Sequence, residues 1–262
     1  MSKKIIFTEK QIQEIISNYS NGEAIKNISK RYNVSNDTIR RLLKKNSIAL
    51  RGNRKHFFNE NIFDQIDTAE KAYWLGFITA DGYVQYKNPK QAKFLRIKLQ
   101  ECDKEHLYKF IDFLGGDKNM VSYEYHNVTG NKQYYAHVSS NHLIDTLKNM
   151  GIKQGKSTQE KVVNIPEEFK KDYIRGLFDG DGCIREKNIS LCNSMEVLNF
   201  VQEYLIEKCY IGKTKILNHC NTYRLYICKN REIALKHLYY KGCICLERKY
   251  VSIKEYYKQL PC

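Results

Sequence analysis

No apolar run in this chain approaches the roughly 18–20 residues needed to cross a bilayer. The opening residues Met1–Phe7 also lack the long apolar stretch of a secretion signal. Those absences lead to the expectation of a soluble protein that stays in the cytoplasm, with no membrane among its partners. Acidic residues are scarce as well: 29 Asp and Glu stand against 44 Lys and Arg, a net charge of +15, with a pI near 9.3. So large a positive excess points to a polyanionic partner, nucleic acid being the usual one. Twenty tyrosines strengthen that reading, because aromatic rings stack on bases. Cysteine is present but poorly spaced for metal: none of the nine falls in a Cys-x-x-Cys pair, and the tightest spacing is Cys243-x-Cys245. An odd count without a secretion signal argues against a disulfide framework. A zinc site on His219, Cys220 or the 243/245 pair has the wrong ligand spacing, so the thiols are expected as small reduced hydrophobes in the interior. Hydrophobic residues make up 42% of the chain, enough for a real core, which excludes a disordered polymer.

Residues 1–50 read as three short helices. Thr8 with Gln11 forms a capping box that opens the first, to about Tyr19. Asn21-Gly22 ends it, and a second runs from about Glu23 to Tyr32. Asn33-Val34 turns the chain, and Ser35 caps a third helix, Asn36 to Lys45, with Ile39, Leu42 and Leu43 inside and Asn36, Asp37, Arg40, Arg41 and Lys44 outside. A tight turn before a basic third helix is the pattern of a helix-turn-helix, and the segment Ile28–Ile39 resembles the resolvase-type version found in DNA-binding proteins. Residues 51–67, with Arg51, Arg54, Lys55 and His56, read as a basic linker able to lie along a phosphate backbone.

From there the chain repeats itself. Tyr73-Trp74-Leu75-Gly76-Phe77-Ile78-Thr79-Ala80-Asp81-Gly82 returns 100 residues later as Tyr173-Ile174-Arg175-Gly176-Leu177-Phe178-Asp179-Gly180-Asp181-Gly182. Asp67 with Glu70 reads as the capping box that starts the first of these helices. Each motif is followed by strand-like runs (83–86 and 94–99; 183–185 and 189–192), a capped helix (103–114; 194–206), another strand (134–141; 223–230), a helix and a basic segment. The simplest account is an α+β chain of two pseudo-symmetric helix–strand–strand–helix–strand–strand–helix repeats, spanning 68–165 and 166–262, related by a pseudo-two-fold axis with the motif helices on it.

Tyr73, Gly76 and Ala80 share one helical face, as do Tyr173, Gly176 and Gly180. Glycine inside a helix costs roughly 0.5–1 kcal/mol, and close approach of two backbones is a sufficient reason for it. Gly82 and Gly182 are expected to stop the helices in a left-handed conformation, leaving Asp81 and Asp181 as the last helical residues. A carboxylate at a helix C-terminus is unfavourable by about 0.3–1 kcal/mol, and two side by side repel. A divalent cation removes both penalties, and oxygen-only ligands suit Mg²⁺. Metal between two acids on a basic, DNA-facing surface implies phosphodiester hydrolysis.

These motifs resemble the LAGLIDADG homing endonuclease family over about residues 68–262. Gly76, Ala80, Asp81 and Gly82 fit the first pattern, and Gly176, Asp179, Gly180, Asp181 and Gly182 the second. Trp74, Thr79, Arg175 and Gly180 depart from it. The resemblance implies two αββαββα halves whose sheets form a saddle over the DNA major groove. It makes Asp81 and Asp181 the acids that bind Mg²⁺ (or Mn²⁺) and catalyse cleavage of both strands across the minor groove, leaving 3′ overhangs. It also places a basic residue beside each scissile phosphate, and Lys156 and Lys249 fall in the matching segments. The reading is thus a monomeric double-strand DNA endonuclease with a helix-turn-helix that extends its footprint. A non-cleaving DNA-binding regulator, and a maturase that holds intron RNA, are the alternatives on the same scaffold.

Strand parity sorts the sheet residues. Val84 and Ile184 point to the helices, leaving Gln85, Lys87, Arg185 and Lys187 on the other face. Leu95, Ile97 and Leu99 are core, so Arg96 and Lys98 face out; Tyr223, Leu225 and Ile227 face in, so Arg224 and Tyr226 face out. Lys213 and Lys215 are further DNA-contact candidates. Arg and Gln read base edges, whereas Lys more often meets phosphate.

Overall fold

The computed structural model describes residues 7–20, 23–48, 50, 56–88, 92–154, 161–184 and 189–258. They fall into two compact units, the first ending at Phe57 and the second beginning at Phe58.

The first unit is three helices, α1 (Glu9–Ser20), α2 (Ile25–Arg31) and α3 (Asn36–Lys45). The Thr8–Gln11 box closes in both directions: the Thr8 amide donates to Gln11 Oε1 (2.9 Å) and the Gln11 amide to Thr8 Oγ1 (3.3 Å). Asn33 takes a positive φ of 51° in the turn between α2 and α3. Ser35 then accepts from the Thr38 amide, which starts α3 where the sequence placed it. Ile15, Tyr19, Ile28, Ile39 and Leu43 form a separate small core. α2 begins at Ile25, not Glu23, because Ala24 is extended and Glu23 pairs with Arg31 at 2.7 Å.

The second unit begins ahead of its expected boundary. Residues 51–55 lie outside the described residues, but part of the anticipated linker joins the core: Phe63 is fully buried and Ile62 nearly so. Thr68, rather than an Asp67–Glu70 box, caps α4 (Ala69–Asp81) by accepting from the Lys71 amide; Asp67 forms an ion pair with the Lys71 side chain at 2.8 Å. β1 (Gly82–Gln85), β2 (Phe94–Gln100), α5 (Lys104–Phe113), β3 (Val121–Tyr125), β4 (Lys132–Ser139) and α6 (Asn141–Asn149) complete the first repeat. The second is α7 (Lys170–Asp181), β5 (Gly182–Ile184), β6 (Ile189–Asn193), α8 (Met195–Cys209), β7 (Leu217–His219), β8 (Thr222–Ile227), α9 (Arg231–Leu238) and α10 (Glu247–Lys258). Both four-stranded sheets are antiparallel and share one order, β1-β2-β4-β3 and β5-β6-β8-β7, as duplication requires.

α4 and α7 run through the centre of this unit. Every residue from Ala72 to Ala80 and from Asp172 to Asp179 is buried, so each helix has core on all sides. Their contact is backbone on backbone. A Cβ on Gly76 would lie 2.0 Å from the Tyr173 carbonyl oxygen, and one on Gly176 would lie 2.2 Å from that of Tyr73. Further along, a Cβ on Gly180 would meet the Ala80 Cβ at 2.3 Å. The two tyrosines bridge the same seam symmetrically, Tyr73 donating to Asp179 Oδ2 (2.7 Å) and Tyr173 to Thr79 Oγ1 (3.4 Å).

Gly176→Ala forces backbone separation rather than a side-chain shift, and overpacking of this kind costs about 1–3 kcal/mol. Its urea unfolding midpoint is expected to fall accordingly, and an unchanged midpoint contradicts the close contact.

Candidate active site

Asp81 and Asp181 are the last residues of α4 and α7. The seam brings the two helix ends together: a Cβ on Gly180 would stand 3.4 Å from the Asp81 amide nitrogen. Both carboxylates are half-buried, and Asp181 Oδ2 accepts from Asn193 Nδ2 at the end of β6 (3.3 Å). The glycines that follow correct the expectation of a left-handed stop. Gly82 and Gly182 are extended, with φ −74° and −79°. Glycine is needed there because a Cβ would lie 2.4 Å from the carbonyl oxygen of Ile78 or Phe178, the same oxygens that their amides close onto. The chain can therefore leave each helix directly into a strand.

Lys249, expected beside a scissile phosphate, is instead folded under the end of α7. Its Nζ donates to the carbonyls of Phe178 (2.5 Å), Asp179 (2.6 Å) and Gly182 (2.7 Å), with Gly180 at 3.5 Å. These carbonyls cluster at a helix C-terminus, where acceptors go unpaired within the helix, and an ammonium is the complement of the negative dipole end. Burial pulls its pKa down to about 8 against the opposing pull of Asp179, with smaller help from Asp81 and Asp181. One lysine thus offsets the helix end and both carboxylates. Lys156, its counterpart in the first repeat, lies outside the described residues.

Asp179 is the second buried acid of the motif and has a different task. It is fully buried and accepts from Tyr73 Oη, Tyr239 Oη (2.8 Å) and the Leu246 amide (2.7 Å). Desolvation raises its pKa, and the Lys249 charge and those donors partly counter it. Arg175 pairs with Asp172 at 2.7 Å, both 1% exposed, and donates to the Ile244 (2.7 Å) and Leu238 (3.0 Å) carbonyls. Together these bonds fasten residues 238–249 along α7. At the matching positions of α4, Thr79 bonds its own helix through an alcohol (Leu75 carbonyl, 2.8 Å) and Leu75 is a fully buried apolar side chain, beside Trp74 packed on Phe110 and His106.

Metal fit follows from the donors present. Among the described residues no group of three or more His, Cys, Asp and Glu converges. The two aspartates supply hard oxygens alone, which suits Mg²⁺, an ion commonly held by one or two carboxylates with water and substrate phosphate completing its shell.

The outer sheet faces hold most of the remaining candidates. Arg96 is half-buried, 4.6 Å over the Tyr135 ring, and Lys98 pairs with Glu124. Lys87, Lys213 and Lys215 are exposed. Arg224 and Tyr226 face out as parity required, bonded to each other at 3.3 Å. Gln85 shares the strand face of the exposed Tyr83 yet is itself 3% exposed, so its amide is shut away from an incoming duplex. Arg185, Lys187, Arg51 and Arg54 lie outside the described residues. In the first unit Arg41 and Lys44 are open, Arg40 pairs with Asp37 at 3.0 Å, and Asn36 accepts from Ser29 Oγ at 2.6 Å. The sequence assigns no role to Asn193 or His137 and weighs His219 only as a zinc ligand; strand parity places His137 outward beside Tyr135. The thiols are mostly not interior: of eight described cysteines only Cys209 and Cys245 are buried.

Two repeats of one α+β unit, meeting along paired helices that each end in an aspartate, define a duplicated α+β protein with two four-stranded antiparallel sheets. A family model described as a LAGLIDADG-like domain matches residues 68–151 and 168–235, and the chain belongs to that family. A solved homing endonuclease, I-WcaI bound to its DNA recognition sequence, is 18% identical with a TM-score of 0.53, covering 80% of this chain and 97% of that one. I-DmoI in complex with DNA and Ca is 21% identical with a TM-score of 0.51, covering 73% and 100%. A curated relative, uncharacterized protein MJ0398 of Methanocaldococcus jannaschii, is 26% identical over 155 residues, 58% of this chain and 54% of its own. The chain thus aligns with about half the length of that relative. Among the described residues no helix is long and apolar enough to cross a membrane.

Lys249→Met leaves the α7 carbonyls without their cation and two carboxylates without a counter-charge. A loss of about 2 kcal/mol in unfolding free energy is expected, measured by denaturant titration; stability equal to the unsubstituted protein contradicts the capping role.

Proposed function

We propose that the protein is a divalent-metal-dependent, site-specific endonuclease of double-stranded DNA. The observation that carries this reading is the pair Asp81 and Asp181, set at converging helix ends that the Gly76–Gly176 contact fixes in place. Two carboxylates at such a point raise the negative charge where the helix dipoles already concentrate it, and a divalent cation is the complement of that charge. Mg²⁺ bound there supplies Lewis acidity toward a phosphodiester and a water of lowered pKa. Asp81 and Asp181 would hold it, Asn193 orients the Asp181 carboxylate, and Lys249 keeps the end of α7 from fraying under that charge. Family membership supports cleavage of both strands across the minor groove with 3′ overhangs, and the net charge of +15 supports a nucleic-acid partner. The first unit, with its tight turn and the exposed Arg41 and Lys44 on α3, fits a helix-turn-helix that adds contacts outside the sheet footprint.

Asp181→Asn is expected to lower cleavage at least a thousandfold while target affinity in a gel-shift titration stays within threefold. A variant that still cuts removes Asp181 from the chemistry, and an unsubstituted protein that binds but never cuts points to the non-cleaving regulator. Removing residues 1–50 is expected to weaken binding while leaving cleavage intact at high protein concentration. Affinity should also fall steeply, as a linear function of log salt, because each neutralised phosphate releases counterions; a flat response contradicts a phosphate-dominated interface.

A further inference from the structure

Arg224 stands on β8 with the buried Leu225 after it, so its side chain lies on the outer face of the second sheet. Three neighbours hold the guanidinium. Nε donates to Cys192 Sγ (3.1 Å), Nη1 donates to the Tyr226 hydroxyl (3.3 Å), and Nη2 lies 2.5 Å from His219 Nε2. Those neighbours come from all three strands around it: Cys192 is its register partner on β6, and His219 is at the end of β7. A guanidinium carries five N–H donors. Three bonds leave two, one on each terminal nitrogen, and that fork matches O6 and N7 of a guanine in the major groove.

The first sheet carries no such clamp at the equivalent place. Gly82 pairs with Ile97, which pairs with Ala136, and Gly182 pairs with Leu191, which pairs with Leu225. Arg224 therefore corresponds to Tyr135. The arginine of the first sheet is Arg96, which corresponds to Ser190, one same-face row along and on the neighbouring strand. The repeats thus offer guanidinium groups at non-equivalent points.

We propose that Arg224 reads a guanine in the half-site beneath the second sheet, with Cys192, Tyr226 and His219 as positioning residues, and that no equivalent base is demanded in the other half-site. The proposal rests on the DNA-recognition reading above. Holding the fork in place removes the rotamer entropy an arginine otherwise loses on contact, and the bidentate match rejects the other three bases.

Binding selection from a randomised duplex library, without divalent metal, tests it independently of cleavage. The unsubstituted protein is expected to demand guanine at one position of one arm. Arg224→Lys should relax that position by about tenfold or more and leave the other positions alone. His219→Ala and Cys192→Ala should relax it partly, and Cys192→Ser, which keeps an acceptor, should restore it; melting midpoints confirm that each variant is folded. An unchanged profile for Arg224→Lys overturns the assignment, as does an equal loss of affinity for all sequences, which marks a phosphate contact. If the unsubstituted protein enriches no sequence at all, the DNA-recognition reading fails and the guanine assignment falls with it.

Discussion

The structure of the second unit depends on two glycines. Gly76 and Gly176 let the backbones of α4 and α7 touch, carbonyl oxygen against Cα, and the rest of the site takes its geometry from that contact. Wider separation would draw Ala80 from Gly180, and with them the aspartates one residue on. The cost of placing glycine in mid-helix, roughly 0.5–1 kcal/mol each, is set against the burial of two whole helices. Such a seam is short-range and stiff, and it fixes the spacing of the two helix ends.

The two halves keep what faces the seam and diverge elsewhere. Tyr73 and Tyr173 both cross it to the residue six positions on in the opposite helix, reaching Asp179 and Thr79. Away from the seam the repeats solve their packing differently. The first core is filled by Trp74 with aromatic contacts and by the buried Leu75, whereas Arg175, at the position matching Leu75, runs a fully buried ion pair with Asp172 and ties down two carbonyls. Buried charge is expensive unless every bond is met, and here Tyr240 completes the set by donating to Asp172 at 2.7 Å.

Much of this was legible in the chain. The duplicated motif carried the paired helices, the last-residue aspartates and the succession of helices and strands, because periodicity and small-residue spacing are local signals. Strand parity placed Arg224 and Tyr226 outward for the same reason. What failed was anything decided by tertiary contact. Gln85 obeys parity yet is buried by its surroundings. Gly82 and Gly182 are required by a clash with their own helix rather than by handedness. Lys249 reads like any surface lysine until the fold shows it against four carbonyls contributed 67 to 71 residues earlier. Cys192 and His219 carry no recognisable spacing, since their common target, Arg224, is brought to them by pairing of three strands.

The fastening of residues 238–249 along α7 has a consequence for synthesis. Both aspartates are translated well before Tyr239, Leu246 and Lys249, the groups that satisfy Asp179 and close the helix end. A nascent polypeptide that has emerged only as far as α9 holds both acids but lacks the Tyr239 and Leu246 bonds to Asp179 and the Lys249 cation beneath the helix end. Completion of the α7 end is therefore deferred to a late stage of chain growth, and a prematurely terminated product carries the two aspartates without the support beneath that helix end.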